Sequence, residues 1–237
     1  MVQINPDEVI YWSLGETFSI NETIVNTWIV MALLILLTWI STRHLSIDPP
    51  LSHMQVFMET IVSFMKSEIE EISRKSPERY IHFSGTLFLF ISVASLLSIV
   101  PGYRSPASSL STTLAMAICV FFAVPIYGIA ERGASDYFAR YVQPSIIMLP
   151  FNIIGEVSRT MALALRLFGN MMSQNLLVAV LLSIVPLFLP SVMDLFGLLI
   201  GQVQAYIFSV LATVYIISGS FADEDQKEKL SPRGVRE

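Results

Sequence analysis

Five apolar runs constrain this chain more than any other feature. They cover Ile24 to Ser41 and, approximately, 81–100, 113–130, 147–185 and 192–218. About 20 apolar residues in a helix cross the ~30 Å hydrocarbon core of a bilayer, and each run meets or approaches that length. Composition agrees: 54% of the 237 residues are hydrophobic and 14% are charged, where a soluble domain carries about 25% charged residues. Mean hydropathy is +0.64. The expected class is an all-α integral membrane protein with five transmembrane helices and one amphipathic interfacial helix.

Residues 1–22 are polar to mixed and are expected to lie at one membrane surface. Trp28 and Trp39 sit near the ends of the first run, as in an aromatic belt, and Pro49-Pro50 breaks the chain beyond it. Segment 51–75 has Met54, Phe57, Met58, Ile61, Met65, Ile69 and Ile72 at helical spacing, with Glu59, Lys66, Glu70, Glu71 and Lys75 on the other side. That is an amphipathic helix rather than a span; it rests on the membrane interface or its own protein, or serves a dedicated partner. Pro101-Gly102 stops the second span, and a Pro- and Ser-rich loop runs to Ser109. The Ser/Thr cluster from Ser108 to Thr113 reads as a cap and loop rather than a binding site.

No clean terminator interrupts 147–185. A helix from Pro150 to Val185 would be ~54 Å long, so it either breaks or lies steeply tilted. The 192–218 run, at ~40 Å, is overlong by the same rise. A charged tail, 222–237, follows. With five crossings, Arg43, Lys66, Arg74, Lys75, Arg79, Arg132, Arg140, Lys227 and Lys229 share one side, and Arg104 lies opposite. The positive-inside rule then places the N-terminus outside and the C-terminus in the cytoplasm.

Net charge is −5, so there is no basic face for nucleic acid. Cys119 is the sole cysteine, which excludes an intramolecular disulfide and a cysteine metal cluster. His44, His53 and His82 are scattered; no metal or cofactor is expected. Asp7, Glu8 and Glu16 occupy the place of a basic signal-peptide region. No Ser/His pair or zinc-binding His-Glu-x-x-His motif supports a membrane hydrolase.

Arg166 lies within the apolar stretch Met161 to Gly169. At the centre of a membrane helix arginine costs about 2.5–3.5 kcal/mol on insertion scales, and its pKa above ~12 prevents escape by deprotonation. Asn152, Glu156, Arg159, Arg166, Asn170 and then Ser173 or Gln174 form one stripe of this helix. Asp194, Gly197, Gly201 and Gln204 share one side of the last helix. Two overlong helices with polar stripes predict packing around an aqueous or ion-bearing surface, because intramembrane ionisable groups mark ion pathways. The same residues also suit purely structural roles. Glu156 and Arg159 are spaced for an i,i+3 ion pair. Asn170 and Gln204 suit interhelical hydrogen bonds, and Gly197 with Gly201 suits close helix packing.

The block Leu165-Arg166-Leu167-Phe168-Gly169-Asn170-Met171, with Val203-Gln204-Ala205-Tyr206-Ile207-Phe208 and Val214-Tyr215-Ile216 downstream, resembles the a subunit of rotary F-type ATP synthases. Gly85 to Phe90, Pro101-Gly102 and Met148-Leu149-Pro150 add to the resemblance, which spans roughly residues 20–220. Ala130-Glu-Arg-Gly and Pro150-Phe-Asn-Ile-Ile-Gly-Glu are similar to the N-type, sodium-linked branch. The resemblance implies a non-catalytic stator subunit in a prokaryotic inner membrane, with the ATP chemistry carried out by other subunits. Its partners would be a c-ring, b-type peripheral stalk subunits, the larger F1Fo assembly and the lipid bilayer. The last two helices would lie tilted against the ring. Arg166 would be the stator arginine facing it, Gln204 its neighbour, and Asn170 part of the ion path; Glu156 is a further candidate for that path. Many relatives carry a carboxylate or histidine nine residues after the arginine and its complement seven before the glutamine. Here Asn175 and Gly197 stand there, and Asp194 is the candidate substitute. Such a path accords with sodium, which takes oxygen ligands. The competing class is a stand-alone ion channel or secondary transporter.

Overall fold

A computed structural model of the chain describes residues 10–14, 18–43, 53–72, 78–100, 103–135, 137, 147–185 and 189–221. The charged tail, the Pro49-Pro50 and Pro101-Gly102 breaks, Arg74, Lys75 and Arg140 lie outside the described residues. So do most of the N-terminal segment and of the polar loop after Gly133.

Six long helices make up the described fold: α1 (Glu22–Arg43), α2 (His53–Ile72), α3 (Glu78–Leu96), α4 (Leu110–Arg132), α5 (Met148–Ile184) and α6 (Leu189–Phe221). All but α2 are long and apolar enough to cross a membrane. This follows from the solvent: hydrocarbon offers no hydrogen-bond partner to peptide groups, so each run must satisfy its backbone internally. A two-stranded antiparallel hairpin, β1 (Ile10–Leu14) and β2 (Phe18–Asn21), precedes α1, with a register irregularity between Ile10 and Trp12. No feature of the sequence pointed to it.

α5 does not break. It runs 37 residues, ~55 Å at the α-helical rise. α6 has 33 residues and starts early enough that Pro190 falls in its first turn, where no intrahelical N–H is required. α4 continues through Pro125. It ends at Gly133, whose φ of 85° suits a residue without a Cβ and whose N–H donates to the Ile129 carbonyl at 2.8 Å. At its start Ser109 holds the extended N-cap geometry, but its hydroxyl pairs with Ser111 Oγ at 2.6 Å instead of a backbone N–H. The preceding 3₁₀ turn, Pro106–Ser108, is capped by Ser105, which accepts from the Ala107 N–H at 3.3 Å.

The core lies among α3, α4, α5 and α6. Leu87, Ile91, Met116, Val120, Leu163, Leu167, Met171, Ala205, Phe208 and Ala212 interdigitate there. Within lipid such contacts hold helices by van der Waals packing and hydrogen bonds rather than by hydrophobic transfer. A second cluster at the other end joins Ile69 of α2 to Tyr80, Ala123, Val124, Ile216 and Ile217. The amphipathic α2 is buried at Gln55 near its start and at Met65 and Ile69 in its second half, while Met54 and Phe57 remain exposed. α1 is buried only at Glu22, Thr23, Asn26 and Val30, so most of its surface, Trp28 and Trp39 included, faces outward.

Ion pairs mark the two ends of the bundle. Arg104 Nη1 meets Glu22 Oε2 at 3.4 Å where α1 and α4 begin and α3 ends. Arg79 Nη1 meets Glu131 Oε1 at 3.5 Å where α3 begins and α4 ends, and the Tyr80 hydroxyl donates to the same carboxylate oxygen at 2.7 Å. Between α3 and α6, Ser84, Ser209 and Thr213 form a fully buried hydroxyl cluster. Ser84 Oγ lies 2.7 Å from Ser209 Oγ and 2.5 Å from Thr213 Oγ1, and Ser209 Oγ donates to the Ser84 carbonyl at 2.9 Å. Hydroxyls facing one another across two apolar helices thus fix the rotation of α6 against α3.

Candidate functional site

α5 and α6 form a long antiparallel hairpin, and its polar residues fall into three zones. The middle zone holds Arg166. Its side chain is exposed, on the same face of α5 as Ala162, Asn170 and Ser173. Among the described residues it makes no hydrogen bond or ion pair. Beside it Asn170 reaches across the hairpin, donating Nδ2–H to Gln204 Oε1 at 2.7 Å. Gln204 is only 2% exposed, and its Nε2 has no hydrogen-bond partner among the described residues. Asn170 and Gln204 therefore do come together, with Gln204 behind the exposed face on which Arg166 stands. Interhelical hydrogen bonding, the bland reading of these two amides, is present; it does not involve Arg166.

Glu156 lies ten residues before Arg166, ~15 Å along α5. It lines a cleft of about 230 Å³ between α4, α5 and α6, together with Asn152, Gly155, Arg159, Thr160, Val120, Tyr215 and Ser218. Gly219 also lines it, and a Cβ there would meet Val124 Cγ1 at 2.9 Å, so this glycine lets α6 lie close to α4. Polar groups of two different spans thus converge on one opening at the end of the bundle that carries Arg79 and Glu131.

The third zone lies ~13 Å the other way, about nine residues beyond Arg166. Asn175 and Asp194 are both half-buried there, and no hydrogen bond joins them among the described residues. Gly197 and Gly201, which suit close backbone packing by sequence, instead receive side chains. The Gln174 carboxamide occupies the notch at Gly197 and the Ser95 hydroxyl that at Gly201. Close by, Ser92 Oγ donates to Gln202 Oε1 at 2.5 Å, and Gln202 Nε2 donates to the Ser92 carbonyl at 3.1 Å. Ser92, Ser95 and Gln202 were missed as site residues by sequence reasoning. The signal that could have found them is the i,i+3 spacing of Ser92 and Ser95 on one side of an apolar span. A last polar contact joins α2 to α6: the Tyr206 hydroxyl donates to Glu68 Oε2 at 2.5 Å, with the Phe64 ring 6.0 Å from that of Tyr206.

A permanent cation exposed on a membrane-spanning helix, with a polar cleft toward one end of the bundle and polar side chains toward the other, is the arrangement of a multi-pass ion-translocating membrane protein. The particular family follows from comparison with known proteins. Residues 24–217 match the model of the ATP synthase A chain family, and the chain belongs to that family. It is 56% identical to ATP synthase subunit a 1 of Crocosphaera subtropica over 92% of this chain and 94% of that one. It is 52% identical to ATP synthase subunit a 2 of Picosynechococcus over 97% and 98%, and 48% identical to ATP synthase subunit a of Albidiferax ferrireducens over 98% of each. Its function is that of an Fo stator subunit in ion transport coupled to ATP synthesis.

Proposed function

We propose that Arg166 is the fixed stator charge past which the carboxylates of a rotating c-ring move, and that the polar zones on either side of it are two half-channels. The observation that carries this reading is the exposed guanidinium, unpaired among the described residues, on a continuous apolar helix. Its natural partner is a mobile anion from outside the chain. Two unit charges ~4 Å apart interact by about 4 kcal/mol at an effective dielectric constant near 20, equivalent to roughly three pKa units on the carboxylate. A ring carboxylate arriving at Arg166 releases its cation. Once rotated into the other half-channel, it reloads. The same charge repels cations and so prevents a leak between the half-channels. Lysine would serve less well, since it can deprotonate when desolvated.

Glu156 and its cleft form the cytoplasmic half-channel in this reading, and Asn175 and Asp194 belong to the outer one. Asn170 and Gln204 flank the exchange point. The chain lies in a prokaryotic inner membrane with its N-terminus outside and C-terminus inside, in an F1Fo assembly with a c-ring and b-type stalk subunits. The Ala130-Glu-Arg-Gly and Pro150 to Glu156 segments support the N-type, sodium-linked branch. The driving force is about 2.3 kcal/mol per charge per 100 mV of membrane potential.

The test is ATP-driven ion uptake by the reconstituted complex. Arg166→Ala is expected to abolish it with the subunit still assembled; sustained coupled pumping would overturn the assignment. Running the parent complex in sodium-free and sodium-containing buffer, with an ionophore control, tests the ion.

A further inference from the structure

Within little more than one turn of α6, the side chains at 202, 204 and 206 bond to three different helices. Gln202 Oε1 accepts from the Ser92 hydroxyl of α3 at 2.5 Å. Gln204 Oε1 accepts from Asn170 of α5 at 2.7 Å. The Tyr206 hydroxyl donates to Glu68 Oε2 of α2 at 2.5 Å, and the Tyr206 and Phe64 rings lie 6.0 Å apart. Glu68 is presented from a seated part of α2, since Met65 and Ile69 beside it are buried. At ~100° per residue, Gln202 and Tyr206 share one side of α6 and Gln204 points to the opposite one. The helix is therefore held from both sides at the level of Gln204. The hydroxyl cluster at Ser209 and Thr213 lies ~8–14 Å further along.

Rotation is the quantity these bonds control. Apolar contacts change little as a helix turns about its axis, whereas a hydrogen bond weakens steeply with distance and angle. Leu199 and Val203 on the outward face are exposed and apolar, so they give no directional hold. A turn of ~20° carries a side-chain tip ~6 Å from the axis through ~2 Å. That breaks the 2.7 Å Asn170–Gln204 bond, since such bonds end near ~3.2 Å. We propose that Tyr206 and Glu68 are positioning residues: their bond ties α6 to α2, fixes the rotation of α6, and so keeps Gln204 against Asn170 beside the Arg166 face. The amphipathic helix is thereby part of the coupling machinery and not only a surface element. This rests on the stator reading of Arg166 and deepens it. A fixed charge couples ions to rotation only if the helix beside it holds its own face against the moving ring.

The experiment measures ions transported per ATP hydrolysed by the assembled complex in vesicles, a ratio independent of how much complex assembles. Tyr206→Phe keeps the ring beside Phe64 and removes the hydroxyl; the ratio is expected to fall several-fold. Glu68→Met should match it, and the double variant should be no worse than either alone. Glu68→Gln retains an acceptor oxygen and should recover most of the coupling. Glu70→Gln, on the exposed side of α2, should leave the ratio at the parent value. A parental ratio in Tyr206→Phe, an additive loss in the double variant, no recovery in Glu68→Gln, or an equal loss in Glu70→Gln overturns the proposal. A second measurement reads the rotation itself. In the Cys119→Ser background, Asn170→Cys with Gln204→Cys should form a disulfide several-fold more slowly once Tyr206→Phe is added, and an unchanged rate also overturns it. Pumping that survives Arg166→Ala would sink the stator reading instead, and the disulfide rate does not depend on that result.

Discussion

Asn170 and Gln204 join α5 to α6 through one amide–amide hydrogen bond of 2.7 Å, four residues beyond Arg166 and directly behind its exposed face. The bond orients both side chains and leaves Gln204 Nε2 as a buried donor without an acceptor among the described residues. The hairpin is thus fixed at the level where it must present a charge, and a donor is held in reserve beside it.

Breaking that bond tests its weight. Asn170→Leu and Gln204→Leu should each destabilise the subunit, and the double variant should lose less than the sum. Measured by unfolding in micelles, the coupling is expected at about 0.6–1.7 kcal/mol. Strict additivity would show that the two amides act independently.

The buried hydroxyl cluster makes a second prediction. Ser84→Ala removes contacts to both Ser209 and Thr213 and should cost about 1–2 kcal/mol. Because the cluster fixes the rotation of α6, cysteines substituted for Asn170 and Gln204 in the Cys119→Ser background should also crosslink more slowly. Unchanged stability and crosslinking would remove the cluster from that role.

Arg104→Ala strips the cation from Glu22, which is 8% exposed, while the Arg104 carbonyl keeps its bond from Asn26 Nδ2. The expected loss is about 1–3 kcal/mol. Adding Glu22→Gln should recover part of it, because the residue left behind is then neutral; no recovery would assign the loss to packing.

Tyr103 carries a buried hydroxyl without a hydrogen-bond partner among the described residues, and burial pushes its phenol above the ordinary value of 10.0. The neutral form is therefore favoured in the folded state. Stability should be intact below pH 10 and fall as pH rises beyond it, where the unfolded chain ionises first. Tyr103→Phe should flatten that fall and leave stability near neutral pH equal or slightly higher. A scan of melting temperature against pH in micelles checks both, and an identical alkaline fall in the variant would rule out the Tyr103 phenol as its origin.

Much of this was legible in the residues. The all-α class and five spans are one-dimensional properties, because length and apolarity alone decide whether a helix can exist in lipid. The Arg166 block carried the family resemblance, and the 3.6-residue period placed Asn170 on the same stripe. Other features were not legible. Glycines spaced four apart read as a packing motif, yet at 197 and 201 they house side chains from two other helices. The amphipathic pattern of α2 is continuous, but only Gln55, Met65 and Ile69 along it are buried.

The sequence by itself determined what must be buried, which segments are helical, and that one permanent charge sits among apolar neighbours. Those depend on local chemistry and on the solvent. Tertiary structure alone decided that Arg166 is exposed while Gln204 is covered, that Gln174 and Ser95 meet α6 at glycines, and that Glu156 opens into a cleft shared by three helices. Each of these depends on how one helix is rotated and shifted against another. Side-chain volumes and hydrogen bonds far apart in the chain set that rotation, and no periodicity within a single segment records it.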